Sequence, residues 1–120
     1  LPETIGNLSE LRELYIKSNE LDKFPSSIKN LDNLRILHLW GNRFENLPPE
    51  IGELKGLKEL YLQDNRLRDL PEEITKLKLS YIDIQDNKLC SLKGKVHTWL
   101  KNYDDEYKKI QRCQDEVRFQ

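Results

Sequence analysis

The sequence predicts an α/β solenoid, in which stacked units share one parallel β-sheet and a helical cap follows at the C-terminus. Three observations predict this fold. A pattern recurs every 22 or 23 residues along most of the chain. Apolar and polar residues alternate within each copy, and apolar residues near the C-terminus have helical spacing.

The repeat divides the first part of the chain into four units, each of which opens with Leu or Phe followed by Pro: 1–23, 24–46, 47–69 and 70–91. The fourth unit is one residue shorter, because a residue is missing between Leu77 and Leu79. A fifth unit begins at Leu92 and then departs from the pattern. We therefore predict a four-repeat domain over 1–91, and we assign 92–120 to a divergent half-repeat and a helical cap or tail.

Each unit contains one predicted strand, since its L-x-L motif has the period of two that is typical of strands. The strands centre on Leu14–Ile16, Leu37–Leu39, Leu60–Leu62 and Ile82–Ile84. An asparagine follows each strand, and its amide can both donate and accept hydrogen bonds in a buried turn. We interpret these residues as a structural ladder: Asn19, Asn42, Asn65 and Asn87.

The segment before each strand should cross the convex side of the solenoid. The Pro at the second position of each unit fixes φ and lacks an N–H group for a sheet ladder, which favours an extended or short helical segment. We expect two apolar positions of each segment to point inward: Ile5, Ile28, Ile51 and Ile74 at one, and Leu8, Leu31, Leu54 and Leu77 at the other. Phe24 and Phe44 occupy leucine positions, so we expect them in the core.

The motif L-x-x-L-x-L-x-x-N-x-L occurs four times, from Leu11, Leu34, Leu57 and Leu79, and it resembles the leucine-rich-repeat family. The opening L-P-x-x-I-G-x-L is similar to the 23-residue repeats of many bacterial and some eukaryotic members. The resemblance covers roughly the first three-quarters of the chain. It implies a right-handed solenoid with a concave parallel sheet and short convex turns or helical segments.

The resemblance also carries an expectation about biology. Short bacterial proteins of this kind are often secreted or surface-displayed, and they bind host or bacterial proteins. This favours a secreted or cell-surface location slightly over the cytoplasm, while the residues themselves leave the compartment open.

Composition excludes several other function classes. Charged residues make up 34% of the chain, but the net charge is −1 and the two signs are interleaved. This distribution speaks against a nucleic-acid footprint or an anionic-membrane patch, both of which need clustered positive charge. Apolar runs are too short for a membrane span, and no signal-peptide pattern opens the chain. The chain begins mid-pattern without an initiator Met, which favours a mature or trimmed form.

The C-terminal region has two apolar faces at helical spacing. Val96, Trp99, Leu100 and Tyr103 form the first, and Tyr107, Ile110, Cys113 and Val117 form the second. We predict one or two helices, with Asp104 or Asp105 as an N-cap between them and the first helix closing the core of the last repeat. Two cysteines do not define a disulfide framework, so we expect Cys90 and Cys113 to be unpaired thiols, with a disulfide between them as the alternative.

The strand residues between the core leucines face the concave side of the predicted sheet. They include aromatic residues that the core does not need, and such residues are typical anchors of protein interfaces. The alternative is that they only pack on one another and stiffen the sheet. The candidate partner-binding residues are Tyr15, Lys17, Ile36, His38, Trp40, Tyr61, Gln63, Tyr81 and Asp83.

We predict no catalytic, cofactor or metal site. No second His or Cys is expected near His38 on the concave face of the predicted sheet. The carboxylates of Asp64, Asp83 and Asp86 are expected on an open surface. Cys113-Gln114-Asp115 has the Cys-x-Asp spacing found in the ubiquitin-ligase domain of some bacterial leucine-rich-repeat proteins, but three residues match easily by chance.

The leading functional hypothesis is therefore a protein–protein interaction module that is not an enzyme. The second is a structural module that self-associates, forming a homodimer through its uncapped N-terminal edge. The third is a regulatory fragment of a larger enzyme.

Overall fold

The computed structural model describes residues 3–16 and 20–113. They contain a parallel sheet of four strands in chain order: β1 (Glu13–Tyr15), β2 (Ile36–His38), β3 (Glu59–Tyr61) and β4 (Tyr81–Asp83). A 3₁₀ helix precedes each strand: η1 (Glu3–Asn7), η2 (Ser26–Asn30), η3 (Pro49–Glu53) and η4 (Glu72–Lys76). Helix α1 (Gly94–Lys101) and the 3₁₀ helix η5 (Tyr107–Ile110) follow β4.

The sheet aligns equivalent residues of successive units, because Leu14 pairs with Leu37, Leu37 with Leu60 and Leu60 with Ile82. The predicted stack of parallel strands is confirmed. On the opposite side, η2, η3 and η4 each begin after a proline whose φ lies between −66° and −71°. These short helices confirm the convex crossings, since proline is well suited to the position that precedes or opens a helix.

Stacking buries the repeated apolar residues in one continuous core. Ile28, Ile51 and Ile74 are fully buried at one position, and Leu31, Leu54 and Leu77 are buried at the other. Leu8 is a correction to the prediction, since 51% of its surface is exposed. Each unit covers the next one, and no described residue covers Leu8 from the N-terminal side.

The predicted amide ladder is present at the strand ends. Asn65 accepts from the Phe44 N–H at 3.2 Å and donates to the carbonyls of Leu39 and Leu62 at 2.9 and 3.0 Å. Asn42 and Asn87 repeat these contacts one unit away in each direction. Each amide thus joins two adjacent units. Asn19 lies outside the described residues.

Gln111 extends this ladder beyond the last asparagine. Its Oε1 accepts from the Leu89 N–H at 3.1 Å, and its Nε2 donates to the carbonyls of Ile84 and Tyr107 at 3.0 and 3.1 Å. The tail thereby supplies the buried amide that a fifth repeat would have supplied. The prediction missed it, because Gln111 belongs to no copy of the repeat.

The sequence predicted one or two helices in the C-terminal region, and the structure has one α-helix. Helix α1 packs against η4 and buries Val96 and Leu100, while the second predicted helix is only the single 3₁₀ turn of η5. Asp104 accepts from the Glu106 N–H at 3.1 Å in the turn between them. Val117 lies outside the described residues. The role of this region as a cap, like the domain boundaries, stays a prediction.

The two cysteines also correct the prediction, which favoured free thiols. Cys90 and Cys113 form a disulfide, and their Cα atoms are 6.2 Å apart. The chain returns along the last turn of the solenoid, where the Arg112 N–H donates to the Asn87 carbonyl at 2.6 Å. This return places Cys113 beside Cys90, and sequence spacing alone does not reveal it. None of the helices in the described ranges is long and apolar enough to cross a membrane.

Candidate binding surface

Two columns of side chains on the concave side of the sheet contain six of the nine predicted binding residues. Strand register places Tyr15, His38, Tyr61 and Asp83 in one column, and Glu13, Ile36, Glu59 and Tyr81 in the next. The backbone pairing fixes these neighbours, because side chains on one face of adjacent strands lie opposite each other.

Four rings of this face form a continuous ring stack, which consists of Tyr15, His38, Tyr61 and Tyr81. The centroids of Tyr15 and His38 are 5.5 Å apart, and those of His38 and Tyr61 are 4.5 Å apart with the planes inclined by only 10°. Tyr81 comes from the neighbouring column and meets Tyr61 diagonally at 5.3 Å. The stack thus spans all four strands of the sheet.

Neighbouring carboxylates and partial burial raise the pKa of two tyrosines of the stack, Tyr61 and Tyr15. The Tyr61 hydroxyl donates to Glu59 Oε1 at 2.6 Å, and this hydrogen bond is the main cause that raises the pKa of Tyr61 to about 12. The pKa of Tyr15 is also raised, first by partial desolvation and then by the hydrogen bond and charge of Glu13. The surface therefore presents aromatic rings bordered by negative charge at neutral pH.

The large apolar side chains here remain accessible to a partner. Tyr15 is 57% exposed, Tyr81 48% and Trp40 40%, whereas Ile36 and Gln63 are half-buried. Asp83 accepts from the Gln85 backbone N–H at 3.2 Å. Of the predicted site residues, Lys17 lies outside the described residues, and strand register places six on the concave side. Trp40 and Gln63 lie two residues beyond β2 and β3, where the alternation of side chains along an extended segment puts them on the same face.

The strand ends carry a cluster of three charged side chains that sequence reasoning missed. Arg112 approaches Asp64 at 3.0 Å and Asp86 at 3.7 Å, so two carboxylates that were considered as metal ligands share a tail guanidinium. Asp64 and Asp86 both have φ of 58°, in the left-handed region that Asp tolerates better than most residues. Arg112 directly precedes Cys113. The disulfide between Cys90 and Cys113, which the sequence analysis kept as the alternative, would have indicated that Arg112 lies near the last strand ends.

A groove of about 270 Å³ lies at the outer edge of β4. The strand and its flanks form one wall and the tail forms the other, so that the lining residues include Tyr81, Asp83, Tyr103, Asp104 and Ile110. Sequence reasoning missed this groove as well, because the first predicted helix was expected to close the core of the last repeat and the path of the chain after it was not predicted. Within the described ranges, no group of three or more His, Cys, Asp or Glu side chains is arranged to hold a metal ion.

Comparison with protein families finds one matching model, described as a leucine-rich repeat region, over residues 2–90. Comparison with the curated proteins gives no match. Among solved structures, the chain is similar to the Leptospira interrogans LRR protein LIC12759, with 29% identity and a TM-score of 0.67. That match covers 86% of this chain and 32% of the other.

Two further similar structures are complexes. The PEPR1–AtPEP1 structure matches with 30% identity and a TM-score of 0.65, over 72% of this chain and 13% of the other. The plant peptide hormone receptor RGFR1 in complex with RGF2 matches with 35% identity and a TM-score of 0.65, over 72% of this chain and 15% of the other. The chain therefore spans at most 32% of the length of these three structures.

Proposed function

The chain belongs to the leucine-rich-repeat family, and from this premise we propose that it is a protein-binding module whose partner docks on the concave ring stack. The observation that carries the proposal is the run of stacked rings across all four strands, from Tyr15 to Tyr81. The proposed contact residues are those predicted from the sequence: Tyr15, Lys17, Ile36, His38, Trp40, Tyr61, Gln63, Tyr81 and Asp83.

The exposure of the rings supports binding over mere internal packing. Rings that only stiffened the sheet would cover one another, yet Tyr15 and Tyr81 at the two ends of the ring stack expose about half of their surface. Trp40 exposes 40% of its surface on the same side. Aromatic side chains with both an apolar body and a polar tip are the residues most enriched at interface hot spots.

The chemistry of the surface favours a peptide-like partner with apolar and cationic side chains. The rings offer flat apolar contact and can attract a cation over their faces. Glu13, Glu59 and Asp83 border them, and these carboxylates would pair with Lys or Arg of a partner. The similar structures PEPR1–AtPEP1 and RGFR1 with RGF2 support such a partner, since the second is titled as a peptide hormone receptor complex.

A displayed random-peptide library panned on the whole chain tests the proposal. The selected peptides are then titrated against Tyr61→Ala and Trp40→Ala. Each substitution should weaken binding at least tenfold, since loss of a hot-spot aromatic costs about 2 kcal/mol. Glu53→Ala on the convex side is the matched control and should leave the affinity unchanged. Peptides that bind all three variants as they bind the parent chain would contradict the proposal.

The N-terminal end favours a second candidate, which is self-association into a homodimer. Leu8 exposes 51% of its surface there, and Ile5, Leu11 and Leu14 are only partly buried. Two such ends could cover each other. Sedimentation over a wide concentration range tests this candidate, and Leu8→Lys should abolish any dimer. A monomer at all concentrations would remove it.

We further propose that the module has no catalytic activity of its own and works outside the reducing cytoplasm, as a secreted or surface protein of a bacterium. The Cys90–Cys113 disulfide supports the location, because such bonds persist mainly in oxidising compartments. The similarity to a Leptospira protein supports the bacterial context. Thiol labelling of the protein isolated from its native source tests the location, since free thiols at both cysteines would argue against it.

A further inference from the structure

The open edge of β4 differs from the edges between the other strands. At each inner edge, one carbonyl accepts two N–H groups of the next strand: Arg12 from Arg35 and Ile36, Arg35 from Lys58 and Glu59, and Lys58 from Ser80 and Tyr81. The equivalent carbonyl of the last strand belongs to Ser80. It accepts no hydrogen bond from the described residues.

The other end of the strand shows the same gap. The N–H groups of Ile16, Leu39 and Leu62 donate to the next strand, each at 2.8 Å. The equivalent N–H belongs to Ile84, and within 3–16 and 20–113 it has no acceptor. From Ser80 to Ile84 the backbone therefore presents the donors and acceptors of a strand that lacks its neighbour.

The tail passes around this edge and does not pair with it. After α1, the chain turns away from the stacked repeats at Tyr103. It contacts them again at Ile110, whose carbonyl accepts from the Asp86 N–H at 2.8 Å. Between these points Tyr103, Asp104 and Ile110 form the far wall of the groove along β4. The fifth strand position is thus bounded on both sides, and no residue within 3–16 and 20–113 occupies it.

We propose that this groove is a second binding site, which takes an extended basic segment of a partner protein as a fifth strand of the sheet. This mode is β-augmentation, in which main-chain hydrogen bonds supply affinity and alternate side chains supply specificity. The site adjoins the ring stack and shares Tyr81 and Asp83 with the proposed contact surface, but its hydrogen-bonding groups are the backbone atoms of Ser80, Ile82 and Ile84.

Steric access selects a single strand as the occupant. A second copy of the chain would have to stack its own 3₁₀ helix against η4, but α1 already occupies that position. A groove of about 270 Å³ suits a few residues of extended chain, and strands in a sheet lie about 4.8 Å apart. Another whole repeat does not fit between β4 and the tail.

Charge selects a basic segment. The lining contains two carboxylates, Asp83 and Asp104, and no Lys or Arg. Tyr81 and Ile110 add exposed apolar surface beside them. Lysines on the outward face of an added strand would therefore meet negative charge, while its inward face would meet the apolar residues Ile82 and Ile84.

The probe is the blocked peptide Lys-Val-Lys-Val-Lys, added to the whole chain at millimolar concentration. Amide hydrogen exchange of Ile82 and Ile84 is measured by nuclear magnetic resonance. In the free protein the Ile84 amide should exchange fast, and the peptide should slow it. The same peptide with every backbone amide N-methylated and the peptide Glu-Val-Glu-Val-Glu should have no such effect, because they lack the backbone donors and the positive charge, respectively.

Two variants refine the result. Asp104→Asn keeps the oxygen that accepts from Glu106 but removes the charge, and it should weaken the Kd of the lysine peptide about threefold. Asp105→Asn is the matched control, since this adjacent carboxylate does not line the groove and should leave the Kd unchanged.

Several outcomes would overturn the proposal. An Ile84 amide that is already protected in the free protein means that the edge is covered by the chain itself, and protection that fades on dilution means that a second copy covers it. Equal effects of the parent and N-methylated peptides mean that no strand forms. A loss of the lysine-peptide effect in Trp40→Ala, with Asp104→Asn unchanged, assigns that peptide to the ring stack, which would leave the proposed function intact.

Discussion

The Tyr103 hydroxyl oxygen accepts a hydrogen bond from the Leu79 backbone N–H at 3.0 Å. In the second and third units the equivalent N–H groups, of Leu34 and Leu57, donate to a carbonyl of their own unit at 3.2 and 3.0 Å. The fourth unit has lost the residue that would close this turn. Tyr103 replaces the Leu77 carbonyl as the acceptor, and Trp99 donates from Nε1 to this freed carbonyl at 3.2 Å. Tail side chains therefore supply the hydrogen-bond partners that the deletion removes from the fourth unit.

Tyr103→Phe should destabilise the protein by about 1–3 kcal/mol, because a largely buried N–H loses its acceptor while the ring remains. Urea unfolding followed by circular dichroism gives the free energy of unfolding. Tyr81→Phe, on the exposed face of the same unit, is the control and should change stability by less than about 0.5 kcal/mol. Equal effects of the two changes would contradict the role of Tyr103.

Gln111→Met should cost about 2 kcal/mol, because the side chain keeps its shape but leaves the Leu89 N–H and the Tyr107 carbonyl without the amide. Amide exchange should show the loss of protection first at Leu89. Gln85→Met is the control, since Gln85 is exposed. If stability does not change in Gln111→Met, the tail is not an extension of the amide ladder.

Breaking the disulfide should destabilise the fold by about 3 kcal/mol, the loop-entropy expectation for a sequence separation of 23 residues. The test compares thermal unfolding of the parent chain and of a Cys90→Ser/Cys113→Ser variant, each with and without a reductant. Only the parent should respond to the reductant. A parent chain that melts identically in both conditions would show that the bond does not stabilise the fold.

Glu59→Gln should lower the pKa of Tyr61 from about 12 toward 10.0, because the charged acceptor causes most of the shift. A pKa that is higher in the folded state than in the unfolded state stabilises the fold fully below pH 10, and this contribution is lost as the pH rises from 10 through 12. Titration of tyrosinate absorbance measures the change, with Glu53→Gln as the control. An unchanged titration in Glu59→Gln would exclude the charge of the Glu59 carboxylate as the cause.

The concave face shows which contacts can be predicted from the repeat and which cannot. Register follows from the repeat, so the columns that contain Tyr15, His38 and Tyr61 could be assigned without coordinates. The diagonal contact of Tyr81 with Tyr61 could not, because it depends on side-chain reach across two columns. The repeat likewise did not predict that Leu8 is exposed, since the burial of a side chain depends on what lies next to its unit and not on the unit itself.

The sequence by itself determined the solenoid, its parallel sheet, the buried leucines and the asparagine ladder. Each of these arises from local periodicity that is repeated in phase, and stacking identical units leaves few alternatives. Only the tertiary structure decided the C-terminal end, where the Cys90–Cys113 bond, Gln111, Tyr103 and the open β4 edge lie. These contacts join residues that share no repeat position, so no periodic signal encodes them and only the folded path of the tail brings them together.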